Sequence, residues 1–312
     1  MDLSRRIIRT SIDWSGANLL LADYLAGRFT YRSRDEWCER IASGEITLNG
    51  QIVPPETRLA LHDLIEYRPG DIIEPPADLD YHIVYEDDMI LVIDKPGNLC
   101  MHPAGPFFKH TLWHLLCSKY GNIHFVNRLD RETSGLLLAV RIPKYAKALG
   151  KSIAAKRYMV IVHGDFPETF EADGFLQNAN SIIRKKRRFV SIMPENPPFE
   201  SAKTSFRKIS AANGLSLLEA TLFTGRMHQI RATLFSLGYP VAGDKLYGLD
   251  ETFYLKQRSG ELQQCDREKL LISRQALHSA YLEFTHPATM EKLSFTAGMP
   301  AEMSQLITTK GI

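Results

Sequence analysis

Four apolar runs constrain the fold of this chain most. MILVID (Met89 to Asp94), LLLAVRI (Leu136 to Ile142), YMVIVHG (Tyr158 to Gly164) and SLLEATLF (Ser216 to Phe223) are strand-sized and rich in aliphatic residues. Lys95-Pro96-Gly97 closes the first, and the last alternates as a half-buried strand does. Helical patterns are few after residue 81: an Ala- and Lys-rich stretch from Lys144 to Arg157, and another from Met227 to Leu237. Adjacent strands with few βαβ signals predict an α+β fold with a mixed, largely antiparallel central sheet.

Residues 1–76 read as a separate small module. Ala17 to Phe29 has helical spacing, and Ser33 opens a second helix in cap position, running to about Ala42. Gly44 ends it. EITLNGQIV with a tight Asn-Gly turn and LIEY-RPGD-IIEP with a Pro-Gly turn then predict two short hairpins. Pro75-Pro76 and the acidic stretch to Asp80 form a linker, after which a larger domain covers residues 81–304. Two helices, an Asn-Gly hairpin and a closing strand pair resemble the RNA-binding domain first recognised in a small-subunit ribosomal protein, here termed S-four-like. The resemblance implies that Arg28, Arg32, Arg34 and Arg40 face RNA. The first helix nevertheless reads NLLLADYL, where such domains carry Arg and Lys, and a small docking module is the competing reading.

The net charge of +2 conceals a separation. Residues 51–100 hold 11 acidic and 3 basic side chains, whereas residues 141–190 hold 11 basic and 4 acidic ones. Such asymmetry can create a positive face that attracts a polyanion, or can reflect solvated surfaces that differ in charge. No apolar run is long enough for a membrane span, and the N-terminus lacks the apolar core of a secretory signal. Cys38, Cys100, Cys117 and Cys265 lie far apart, which argues against a disulfide framework or zinc ribbon and fits the cytoplasm.

Two apparent motifs lead nowhere. Gly150-Lys151-Ser152 lacks the upstream glycine of a phosphate-binding loop and falls inside a helical pattern. His110 and His114 have i, i+4 spacing, which would place them on one helical face, but no third ligand accompanies them. Two polar segments carry more. In FVNRLDRETSGLLLAV (Phe125 to Val140), apolar strands flank a loop with Arg128, Asp130, Arg131 and Glu132, read either as an ordinary turn or as catalytic groups on a rigid support. The stretch from Thr224 to Gly248 packs Arg226, His228, Gln229 and Arg231 into its first eight residues. Arg and Gln suit phosphate and base-edge contacts, and an inward Arg can hold a carboxylate ionised.

Together these segments resemble the RluA-type pseudouridine synthases. The family's His-Arg-Leu-Asp followed by Thr-Ser-Gly stands as Asn127-Arg128-Leu129-Asp130 and Thr133-Ser134-Gly135. Its Thr-Gly-Arg-Thr-His-Gln-Ile-Arg stretch appears as Thr224 to Arg231 with Met227 for Thr, followed by Gly243-Asp244 and Tyr247-Gly248. Asp94-Lys95-Pro96-Gly97 with His102-Pro103, and Lys156-Arg157-Tyr158, complete the ordered set over roughly residues 81–300. Asn127 departs from the usual His, and the Asp94 motif is one spacer residue short.

The resemblance implies isomerisation of uridine to pseudouridine without cofactor or metal. Asp130 would act on the ribose, Arg231 would keep it ionised, and Tyr158 would lie against the uracil and move a proton in the last step. Arg128 would fill the place of a displaced base in structured RNA, ribosomal or transfer, with Arg226, His228 and Gln229 beside it. The basic run Arg184, Lys185, Lys186, Arg187 and Arg188 suits phosphate contacts. The rival readings are a non-catalytic RNA-binding or ribosome-assembly factor that keeps the fold, and a hydrolase of a C–N bond. Nothing in the sequence demands more than a monomer.

Overall fold

Ser33 shows how local chemistry sets the first elements. In a computed structural model describing residues 6–29, 31–70, 73–181, 183 and 186–312, its hydroxyl accepts a hydrogen bond from Glu36 N, and Glu36 Oε2 accepts one from Ser33 N. This reciprocal capping box satisfies two otherwise orphaned donors. The chain divides into two compact units, Met1–Pro76 with His102–Lys109, and Ala77–Met101 with His110–Ile312.

The first unit contains β1 (Ile8–Ser11), α1 (Leu21–Arg28), α2 (Arg34–Ala42), β2 (Ile46–Leu48) and β3 (Leu64–Tyr67). Leu21, Ala22 and Leu25 of α1 meet Trp37 and Ile41 of α2 in a single core with Ile46, Ile65 and Tyr67 of the sheet. The first helix starts four residues later than its spacing predicts. Asn18 N donates to Leu59 O, and Leu20 bridges to Arg58, so the backbone before Leu21 is already committed elsewhere. Asn49 and Gly50 make the expected tight turn with φ of 51° and 81°. Leu48 and Gln51 exchange both backbone hydrogen bonds across that turn, so the Asn-Gly hairpin is closed by a single bridge, and the second hairpin does not form among the described residues. The sheet order is β1-β3-β2, antiparallel, so the partners of β3 are Ile8–Ser11 and Ile46–Leu48, distant in sequence. Asp71 and Ile72 lie outside the described residues, and Ile73 to Pro76 form no strand.

The second unit begins with β4 (His82–Glu86), β5 (Ile90–Lys95), α3 (Leu112–Tyr120), β6 (His124–Phe125) and β7 (Ser134–Val140). It continues through α4 (Ala146–Ser152), β8 (Ile153–His163), β9 (Thr169–Asn178), β10 (Arg187–Val190), β11 (Phe199–Ala212) and β12 (Leu215–Leu222). The last elements are α5 (Gln229–Ser236), α6 (Thr252–Ser259), α7 (Gln264–Leu270), β13 (Leu277–Thr285), β14 (Lys292–Thr296) and α8 (Ala301–Lys310). Strands β4 to β14 form one mixed sheet with a central path β10-β9-β11-β12-β8-β13-β7-β5-β4. Only β13 against β7 is parallel among the described pairs, as the α+β reading requires. The four apolar runs are β5, β7, β8 and β12, and every residue of β7 is buried.

Two helix expectations change. A short 3-10 turn (Pro143–Tyr145) leads into α4, which stops at Ser152. Lys156 and Arg157 lie on β8, opposite Leu282 and Tyr281 of β13, because the sheet ladder outcompetes helical propensity there. His110 precedes α3, which Thr111 caps by accepting from His114 N, so the two histidines do not share a helical face. Gly150-Lys151-Ser152 lies within α4.

Gly135 fixes how the site is assembled. Its φ is +106°, and a Cβ there would lie 2.3 Å from Ser279 O and 2.7 Å from Ser279 N. Only glycine permits β7 to run this close to β13. Ser279 is also the register partner of Tyr158 on β8. The loop before β7 is thereby brought against the middle of β8.

Candidate active site

Asp130 sits in the loop between β6 and β7, in a turn closed by Thr133 N donating to Asp130 O. Arg231, in the first turn of α5, donates from Nη1 to Asp130 Oδ2 at 2.6 Å across 101 residues of sequence. Its other edge grips Asp244, with Nε to Oδ2 at 2.6 Å and Nη2 to Oδ1 at 2.8 Å. Asp244 is fully buried and also accepts from Leu246 N and Tyr247 N, both at 2.9 Å. A guanidinium thus bridges two carboxylates, one sealed in the core and one facing a cavity.

This arrangement sets the ionisation of Asp130. Desolvation alone would raise its carboxyl, but the Arg231 charge, then His228 and hydrogen bonds from Arg231 and Gln275, outweigh it and hold the group below the ordinary carboxylate range. The Asp130 side chain keeps 28% of its surface open, so the anion remains available to a ligand. Asp244 is likewise driven down by Arg231 against the effect of burial, and Arg231 is pushed up by the two carboxylates.

Tyr158 on β8 completes the floor and is 6% exposed. Burial pushes its phenol up to about 12, with a further push from Asp130, so it stands protonated. His228 occupies the left-handed region with φ of 57° just before α5. Its Nδ1 lies 3.0 Å from Tyr247 Oη, and its Nε2 lies 3.7 Å from Asp130 Oδ1. Tyr247 Oη itself accepts from Arg187 N at 2.8 Å, and a hydroxyl proton on His228 Nδ1 would leave the Nε2 proton directed at Asp130.

These groups surround a cavity of about 350 Å³. Arg128, Lys156, Arg226 and Arg231 line it, against Asp130 as the one acid among its described lining residues. Arg128 is exposed there. Arg226 is half-exposed and donates from Nε to Ser201 O, with Glu200 at 3.7 Å. Asn127 accepts from Leu138 N at 2.8 Å through its side-chain oxygen, tying the loop to β7.

Several expected contacts fall elsewhere. Gln229 is 2% exposed, and its amide is spent on four hydrogen bonds, accepting from Thr224 Oγ1 and Arg226 N and donating to Lys203 O and Thr204 Oγ1. It shapes the loop and has no capacity left for a base edge. The basic run is also largely occupied. Lys186 is buried against Glu251 and the Phe235 ring, and Arg187 is tied to Asn178, Leu176 O and Glu200. Only Arg188 is exposed among the described residues of the run, while Arg184 and Lys185 lie outside them. In the first unit, Arg34 is half-exposed and paired with Asp23, and Arg32 packs on Tyr31 and Trp37. Asp244 and Tyr247 were legible only as motif letters; nothing local in the sequence marks their roles. Among the described residues, no group of three His, Cys, Asp or Glu side chains can hold a metal ion.

An ionised carboxylate beside a buried, protonated tyrosine thus lines a basic cavity on a mixed sheet. Comparisons with known proteins supply the class. The family model described as RNA pseudouridylate synthase matches residues 89–236. The chain is 31% identical over 296 residues to the ribosomal large subunit pseudouridine synthase D of Vibrio cholerae, covering 90% of this chain and 88% of the relative. It is 30% identical to the mitochondrial tRNA pseudouridine(32) synthase of Saccharomyces cerevisiae, spanning 75% of this chain but about half (51%) of that protein. The human RNA Pseudouridylate Synthase Domain Containing 1 structure shares the fold, with a TM-score of 0.55 at 20% identity over 77% of this chain and 98% of that one. The chain belongs to the RluA-type RNA pseudouridine synthases, and is an isomerase.

Proposed function

We propose that this isomerase converts uridines in structured ribosomal RNA to pseudouridine, with Asp130 as the reacting carboxylate, and with transfer RNA as the second substrate class. The observation that carries the reading is the Asp130–Arg231–Asp244 chain at the wall of a basic cavity next to Tyr158. The reaction breaks N1–C1′, turns the base over and rejoins it through C5, so it needs an anion near the sugar and no redox partner. Asp130 supplies that anion, as nucleophile or base toward the ribose. Tyr158 offers its ring face to the uracil and, with its phenol held up to about 12, passes a proton only as it receives one.

A uridine stacked in folded RNA has to leave the stack to reach this cavity. Arg128, exposed at the cavity, fills the vacated place, while Arg226 and Arg188 meet phosphates. His228 orients Asp130 and closes the cavity beside the base. The N-terminal unit adds grip through Arg32 and Arg34 in the S-four-like manner; Arg34 retains 45% side-chain exposure despite its ion pair. The four free cysteines fit a cytoplasmic setting. Ribosomal RNA takes precedence because the relative carrying that name aligns with 90% of this chain.

The test is pseudouridine mapping on RNA from cells lacking the gene, before and after incubation with wild type or Asp130→Asn. Sites restored by the wild type alone support the reading. Equal restoration by Asp130→Asn removes Asp130 from the chemistry, and restored sites confined to transfer RNA reverse the order of substrates.

A further inference from the structure

Lys156 stands two residues before Tyr158 on β8, so the strand's pleat sends both side chains to one face, and both line the cavity. A Cβ placed on Gly225, another lining residue, would lie 3.4 Å from Lys156 Nζ. The ammonium therefore sits at the cavity wall, beside the loop that leads to His228 and Arg231. Its company is unusual. Arg231 is held by Asp130 and Asp244, and Arg226 by Ser201 O and Glu200. Among the described residues no carboxylate or carbonyl offsets the Lys156 charge, although it is only partly exposed. Burial also pushes its ammonium below the ordinary lysine range. A partly desolvated cation without a counter-ion is costly, and its position says that the counter-charge arrives with the substrate.

We propose that Lys156 is a further catalytic residue, whose ammonium stabilises the uracil anion between bond breaking and rejoining. This rests on Asp130 being the reacting carboxylate. When N1–C1′ breaks, the bonding pair stays on the base and spreads over N1, O2 and O4, while Asp130 balances the charge at C1′. The base then has no covalent hold on the enzyme or the RNA. It turns, an electron pair of its C5 edge forms the bond to C1′, and the C5 proton leaves as N1 gains one, so no atom is added or lost. A compact ammonium on a flexible stem can follow the oxygen charge through that turn, where a fixed guanidinium cannot. Arg231, locked between two carboxylates, has no such freedom.

The experiment compares wild type, Lys156→Met and Lys156→Arg in single turnover at saturating RNA, on the RNA and site found by mapping, with Asp130→Asn as control. The expected loss for Lys156→Met is about 10²–10³-fold in rate, with RNA affinity changed by less than about threefold and part of the rate recovered by Lys156→Arg. A second substrate carries 5-fluorouridine at the target, whose base is a better leaving group and depends less on the cation. Its consumption should narrow the gap between wild type and Lys156→Met by about tenfold. Equal losses on both substrates, or an unchanged rate, overturn the proposal. A loss confined to affinity, with a shallower salt dependence, overturns it in favour of a phosphate contact. Should Lys156→Met fold poorly by circular dichroism, Lys156→Gln gives the same comparison. Turnover by Asp130→Asn would instead strike the reading on which the proposal rests.

Discussion

Arg231→Gln separates the electrostatics of the site from its shape. The substitution keeps a polar side chain but strands two carboxylates. Asp244, fully buried, loses both of its bonds to the guanidinium and keeps those from Leu246 N and Tyr247 N. Removing one partner of a buried ion pair costs about 3–5 kcal/mol, and the two retained N–H donors place this case near 3 kcal/mol. In a domain of this size each kcal/mol shifts the melting point by about 2–4 °C, so a fall of about 6–12 °C is expected. The loss should depend on pH. Asp130 and Asp244 are depressed in the folded wild type, so their contribution is present above the ordinary carboxylate range and disappears as pH falls through their folded values. Without Arg231 both carboxyls rise, the variant takes up protons earlier, and the gap in stability narrows from pH 7 toward pH 4. Adding Asp244→Asn removes the stranded buried charge. The double variant should regain at least about 1 kcal/mol in urea unfolding while remaining inactive, because Asp130 still lacks its partner. A double variant destabilised by the sum of the two single changes, or a gap that is constant with pH, would refute the coupled triad.

Three further outcomes follow from the same geometry. Gly135→Ala combines a left-handed backbone with an atom 2.3 Å from Ser279 O; about 1–3 kcal/mol from strain and as much again from overpacking should appear as a reduced urea midpoint. Asn127→Ala leaves Leu138 N in a buried strand without its acceptor, which should cost about 1–3 kcal/mol by thermal unfolding. Arg274 donates to Glu132 O in the loop that carries Asp130 and to Ser134 Oγ at the start of β7, and pairs with Glu302. Arg274→Met should lower the single-turnover rate by about 10²-fold through displacement of that loop, whereas Glu302→Gln at a side chain with 41% exposure should cost less than about 1 kcal/mol in melting experiments.

What the sequence determined by itself is what local patterns encode. The aliphatic runs of β5, β7, β8 and β12 specify strands, and Ser33 with Glu36 specifies a helix start. Asp130, Tyr158 and Arg231 were legible through the motif letters around them, though not through any one residue. Strands β9 to β11 escaped notice because their polar alternation resembles surface loop until a neighbouring strand covers one side. Lys156 was read as helical because Ala and Lys favour helices when nothing else competes, and here β13 competes. Only the tertiary structure decided which cations are free. The basic run looked like one phosphate-binding patch, yet Lys186 and Arg187 find Glu251 and Glu200 from residues 251 and 200, so their charge is spent inside the fold. The reverse holds for Lys156, which the sequence pattern placed at the end of a helical stretch and the fold places on β8 at the cavity. A side chain's charge is a property of its residue type, but its availability depends on whether a distant carboxylate or carbonyl reaches it first, and that is settled only when the chain packs.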